Sequence, residues 1–276
     1  MNQFSILNIR VDNLSQKEIL EKVENFLCRN IFHQIATVNP EFILEAQKNV
    51  EFKNILNNCD LNVADGFGIK LAFWRYGRHL KTRMAGADLM LEILKIAQEK
   101  NLKIFLAANK DGLSNFEETK KAILKIYPNL EITGADLEKN KKQVQVSRLN
   151  LEVLEKLNAN TKQELKKDFA ELINSSEING SGETPEPADI IFCNFGAPCQ
   201  EKFLHSLKNA KDSKIKLAMG VGGSFDFLTG KIKRAPVFIR KIGLEWLWRF
   251  ILEPKYRLKR IWNATAVFTI KIIFNI

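Results

Sequence analysis

One carboxylate in this sequence stands where a proton could be moved: Asp65, in the stretch Asp-Leu-Asn-Val-Ala-Asp-Gly-Phe-Gly at residues 60–68. The apolar run 61–64 stops at Asp65, and Gly66 and Gly68 let the backbone turn before a helical pattern takes over at 69–76. The pattern places an acid at a strand-to-helix turn, and in an open α/β sheet that edge is where ligands bind. Asp is also a favoured helix cap, and taken alone Asp65 reads better as a cap for the helix that follows. A chemical role must therefore be argued from its neighbours.

Four more clusters fall at the ends of predicted strands, on the same sheet edge. They are Thr37 with Asn39; Arg83 with Gly86 and Asp88; Gly196-Ala-Pro198-Cys-Gln200-Glu201; and Gly220-Val-Gly222-Gly223-Ser-Phe225-Asp226. Glycines after a strand let backbone amides approach an anion, so Gly222, Gly223 and Asp226 are candidates for holding a nucleotide. Singly, Asp88 and Gln200 read as ordinary helix-start residues and Arg83 as a solvated loop charge. Five clusters on one edge outweigh those separate readings. No Asp-x-Asp triplet occurs and His33, His79 and His205 are scattered, so no bound metal is expected.

The elements that must position these residues alternate in type. Strands are expected at 4–11, 33–38, 61–64, 103–108, 131–134, 188–194 and 216–221. Helices are expected at 15–29, 41–48, 51–58, 69–76, 89–100, after 114 and at 198–208. Asn39 and Pro40 suit a helix start, and Ser15-Gln-Lys-Glu18 and Ser114-Asn-Phe-Glu117 read as caps. Connections too long for hairpins point to an α/β fold with a mostly parallel sheet and helices on both faces. Residues 137–187 break the rhythm. They read as a charged helical insertion, capped at Thr161-Lys-Gln-Glu164, a helix belonging to the core, and a linker rich in Gly, Ser and Pro.

At 276 residues, 45% of them hydrophobic, the chain can bury a substantial core. Cys28, Cys59, Cys193 and Cys199 lack metal or redox spacing and read as reduced thiols, and residues 1–8 do not read as a secretory signal. The formal charge is +10, and residues 231–276 carry eleven Lys or Arg against Glu245 and Glu253, hence +9 of it. That segment also holds Trp246, Trp248 and Trp262 and no uncharged run able to cross a bilayer. A core of 1–230 with a basic amphipathic appendage at 231–276 that lies on anionic lipid is expected. Its alternatives are a pair of core helices with a solvated basic face, or a surface for single-stranded nucleic acid.

In order along the chain, Thr37-x-Asn39-x-Glu41, Asp65-Gly66-x-Gly68, Arg83-x-x-Gly86-x-Asp88, Gly196-x-Pro198-x-Gln200-Glu201 and Gly222-Gly223-x-Phe225-Asp226-x-x-x-Gly230 are followed by Arg234-Ala235-Pro236, Gly243-x-Glu245-Trp246-x-x-Arg249 and Glu253-Pro254-x-x-Arg257-x-x-Arg260. This succession resembles the WecG/TagA/CpsF family of bacterial glycosyltransferases. Two departures are the long 137–187 region and Ile261, where an aromatic residue commonly follows the last Arg.

The resemblance implies a Rossmann-like core and inverting, metal-independent transfer of an N-acetylmannosamine-type sugar. The donor would be a UDP-sugar and the acceptor a polyprenyl-diphosphate-linked GlcNAc. It implies Asp65 as general base, Thr37, Asn39, Arg83, Asp88 and Gln200 at the sugars, and Gly222, Gly223, Asp226, Arg249, Arg257 and Arg260 at the nucleotide and diphosphate. No cofactor and no nucleic acid partner are expected; a homo-oligomer is left open. The expected place is the cytoplasmic face of the bacterial membrane, held peripherally. Other readings are a different UDP-hexose donor, a nucleotide-dependent oxidoreductase, which the missing G-x-G-x-x-G fingerprint disfavours, and a basic lipid- or nucleic-acid-binding adaptor.

Overall fold

The computed structural model describes residues 3–138, 188–208, 214–241, 243–252, 254, 258 and 262–274. The helices and linker expected within 139–187, Arg257 and Arg260 lie outside the described residues, as does the side chain of Arg249.

The chain begins with a hairpin rather than the single strand expected over 4–11. β1 (Gln3–Ile6) pairs antiparallel with β2 (Ile9–Asp12), and Leu7 and Asn8 turn the corner with φ of 47° and 61°. Two consecutive positive φ values match the right-handed twist of the flanking strands. α1 (Gln16–Leu27) starts at a full capping box between Ser15 and Glu18. β3 (His33–Val38) follows, and Asn39 caps α2 (Pro40–Lys48) with Pro40 at its first position. α3 (Val50–Asn58), β4 (Leu61–Ala64), α4 (Phe67–Arg75), α5 (Gly86–Glu99) and β5 (Ile104–Asn109) come next. α6 (Phe116–Ile126) is capped by Asn115 and Glu118, one residue later than expected, because the Ser114 hydroxyl donates to Asp226 instead. β6 (Ile132–Leu137), β7 (Ile190–Cys193), α7 (Cys199–Leu207), β8 (Leu217–Gly220) and α8 (Ser224–Leu228) complete the core. The C-terminal segment holds α9 (Val237–Lys241), α10 (Glu245–Leu252), a π-helical turn at Asn263–Val267 and α11 (Phe268–Phe274).

The eight strands lie in the order β1-β2-β4-β3-β8-β7-β5-β6, parallel except for the first pair. β3, β4, β7 and β8 are buried along their whole length, as strands covered on both faces must be. Successive residues serve opposite faces. Ile35 and Val63 join Ile19, Leu89 and Ile93 beneath α1 and α5, while Ala36 and Ala64 join Ile43, Phe52 and Phe73 beneath α2, α3 and α4. A third apolar cluster seats α7 through Phe203 and Leu204. The fold is the α/β arrangement expected, with a helical C-terminal segment.

That segment is not detached. Phe268 and Ile272 of α11 are buried in the cluster with α2 and α4. A Cβ on Gly68 would meet Pro40 Cγ at 2.5 Å and Phe268 Cε1 at 3.3 Å, so only glycine lets α2, α4 and α11 approach this closely.

Candidate active site

Asp65 is the first residue after β4, half-buried, with its amide donating to Val38 O at 2.8 Å. Gly66, not Asp65, occupies the N-cap position of α4, at φ 84°. Asp65 lies instead at the carboxyl end of the sheet, beside the end of β3. There Thr37 is buried, and a Cβ on Gly86 would come within 3.1 Å of Thr37 Oγ1. The loop before α5 runs along β4, with the Met84 amide donating to Ala64 O at 3.0 Å, and this carries Arg83 to the same edge. Asn39 Oδ1 accepts from the Phe42 amide at 3.0 Å, which fixes the side chain and leaves its Nδ2 as the donor end.

Arg83 and Asp88, expected at a sugar, meet the C-terminal segment. Arg83 Nη2 donates to the Arg240 carbonyl. Asp88 Oδ1 stands 2.8 Å from Arg234 Nη1 and 3.1 Å from Arg240 Nη1, and Arg234 Nε lies 3.7 Å from Glu245 Oε1. Asp88 therefore joins core to appendage, a role that sequence could not reveal because its partners lie about 150 positions away. The motif Arg234-Ala235-Pro236 was the available signal.

Gln200 is buried, with its amide committed inside the protein. Oε1 accepts from the Gly196 amide at 3.1 Å and the Gly222 amide at 3.0 Å, and Nε2 donates to Glu201 Oε1 at 2.6 Å. A Cβ on Gly220 would sit 2.4 Å from Gln200 Nε2. This side chain pins the two glycine turns together rather than facing a sugar. The same bonds change the expected cradle. The Gly222 amide is taken by Gln200 and the Ser224 amide by Val221 O at 3.1 Å, so the turn does not present those two donors to an anion. Asp226 accepts from Ser114 Oγ at 2.8 Å and so ties this turn to the one before α6. Beneath it, Glu201 is buried with Oε2 lacking any hydrogen bond, and burial pushes its carboxyl up to about 7.

A cleft of about 570 Å³ opens beside Asp65's turn, between α4, the 79–85 loop and the α9–α10 corner. Lys70, His79, Lys81, Arg83 and Arg240 line it against Asp88 and Glu245. Lys70 escaped the sequence reading and His79 entered it only as one of three scattered histidines, since neither is marked by a motif. Among the described residues, no three His, Cys, Asp or Glu side chains are grouped to hold a metal ion.

The family model for the glycosyl transferase WecG/TagA/CpsF family matches residues 4–276. The chain belongs to this family. It is accordingly a glycosyltransferase. An N-acetylglucosaminyldiphosphoundecaprenol N-acetyl-beta-D-mannosaminyltransferase of Bacillus subtilis strain 168 is 29% identical over 263 residues, 95% of this chain and 88% of its own. One of the same name from Staphylococcus aureus strain MRSA252 is 30% identical over 277 residues, covering 97% of this chain and 91% of the relative. In this glycosyltransferase, Thr37, Asn39, Asp65 and Arg83 share the ends of β3 and β4, while Gln200, Gly222, Gly223 and Asp226 share the ends of β7 and β8. β3 and β8 are neighbours, so the two groups face one continuous edge.

Proposed function

We propose that this glycosyltransferase moves an N-acetylmannosaminyl group from a UDP donor to the GlcNAc of a polyprenyl-diphosphate acceptor, in the synthesis of a cell-surface polysaccharide. The relatives' names supply the acceptor and the sugar. The observation that carries the chemistry is the placement of Asp65, a half-buried acid at the end of β4 beside Thr37 and the Arg83 loop. Its carboxylate takes the proton of the acceptor hydroxyl as that oxygen bonds to the anomeric carbon. The bond from that carbon to the UDP oxygen breaks in the same step, UDP leaves with the electron pair, and the configuration inverts.

The departing diphosphate needs cationic partners, and guanidinium forks provide them without a metal ion. We assign this to Arg249, Arg257 and Arg260, from the appendage. Thr37, the Asn39 amide and Arg83 orient the sugars, while Gln200 acts through the two turns it joins. The nucleotide lies over the Gly222–Gly223 turn and Asp226. Peripheral attachment to an anionic membrane surface fits the exposed side chains of Phe238, Ile251, Leu258, Trp262 and Phe274 on so basic a segment. No helix among the described residues is long and apolar enough to cross a membrane.

A panel of UDP-sugars offered with a short-chain lipid diphosphate carrying GlcNAc, read by mass spectrometry, tests this. The expected product gains one N-acetylhexosamine from UDP-N-acetylmannosamine and little from UDP-glucose. Preferential transfer of glucose or a uronic acid would replace the donor assignment, and no transfer from any donor would refute the reaction.

A further inference from the structure

We propose that the cleft between α4, the 79–85 loop and the α9–α10 corner binds the diphosphate of the lipid-linked acceptor, with Lys70 as the cation that meets it and His79 beside it. The inference rests on the reaction assigned above and adds the place of one substrate.

The cleft's volume of about 570 Å³ is in the range that holds a diphosphate and an adjoining sugar. Its charges are not all neutralised. Arg240 is paired with Asp88 and Lys81 with Glu18 at 3.1 Å, whereas Lys70 makes no ion pair among the described residues. An unpaired cation in a concave site attracts an anionic ligand.

Two observations point to the acceptor rather than the nucleotide. The turn that would cradle a nucleotide, after β8, lies two strands from β4, whereas the cleft borders β4 itself, through Phe67 and the loop bonded to Ala64. The second concerns α4. Lys70 lies one turn from Phe67 on one side and from Trp74 on the other, and these are 40% and 76% exposed. A cation flanked along one helix face by exposed apolar side chains suits a phosphate joined to hydrocarbon. Phe67 is also only two residues beyond Asp65. A diphosphate held here keeps its sugar on the side of the proposed base.

Calorimetric titration of the full chain with geranyl diphosphate, inorganic pyrophosphate and UDP tests the site. Lys70→Glu should weaken geranyl diphosphate by about tenfold or more, since it reverses a charge in direct contact, while UDP affinity stays within about twofold. Pyrophosphate should compete with geranyl diphosphate in the unaltered protein. Lys70 is exposed on a helix surface, so circular dichroism should show the variant folded, and Lys70→Gln should give a smaller loss in the same direction. Unchanged geranyl diphosphate binding in Lys70→Glu, absent competition by pyrophosphate, or a parallel loss of UDP affinity would each overturn the proposal. A chain that transfers no sugar yet binds geranyl diphosphate through Lys70 would refute the reaction and keep the site. One that transfers sugar with an acceptor KM indifferent to Lys70→Glu would do the reverse.

Discussion

Gln200 and Glu201 adjoin in sequence and are both buried, and together they hold the β7 and β8 turns in register. Gln200 was legible as a site residue by type and place, but its amide partners, Gly196 and Gly222, come from turns that only the fold brings together. Glu201 was legible only as the last residue of the motif that Gly196 opens, because what decides its behaviour is its burial. Burial raises its carboxyl from the ordinary 4.5 to about 7. Below 4.5 both folded and unfolded chains hold the proton. Between 4.5 and about 7 only the folded chain does, so stability falls as pH rises through that window, by on the order of 3 kcal/mol in all. His205 opposes this, because burial lowers its pKa and folding therefore gains as pH rises towards 6.5. Glu201→Gln removes the first effect and leaves the second. Thermal melts of the two proteins from pH 5 to 8 should show the variant gaining on the parent as pH rises; a constant difference would contradict a protonated Glu201.

The β3 to α2 corner was legible because its signals are local: an apolar run, then Asn39 and Pro40 in the order a helix start requires. The Leu7–Asn8 turn was not, since neither Asn-Gly nor Asp-Gly marks it, and the cap of α6 was misplaced because Ser114 is claimed by Asp226 across the sheet. The docking of α9 to α5 is equally non-local. Arg234 is largely buried and has Nη2 without a hydrogen bond, so losing Asp88 leaves its charge poorly matched. Asp88 is itself more than a third exposed, and solvent screening reduces the cost to about 1 kcal/mol. Asp88→Ala should therefore lower the melting temperature modestly and speed proteolytic cutting within 231–252. In a double-mutant cycle with Arg240→Ala the two losses should fall short of additive; strict additivity would deny the coupling.

At the scale of the whole molecule, the charge asymmetry and most of the exposed large apolar side chains among the described residues fall in the same segment, and the charge was readable from composition alone. The burial of α11 against α2 and α4 was not, because Phe268 and Ile272 look like any other apolar residues of an amphipathic tail. It changes how the appendage should be tested. Truncation after about residue 230 would strip Phe268 from Gly68 and Pro40 and so damage the core. Arg249→Ala, Arg257→Ala and Arg260→Ala leave α11 in the chain. Binding of the full chain to vesicles containing anionic lipid should weaken steeply with salt and persist in these single variants, each losing about one charge's share. Salt-independent binding would point to apolar insertion alone.

Proton transfer by Asp65 is the claim on which the proposed reaction depends. Turnover and UDP affinity should be measured together in Asp65→Asn, with defined donor and lipid acceptor. Loss of turnover by roughly 10² or more, with UDP affinity unchanged, is the expected result. Near-normal turnover in the folded variant would contradict it.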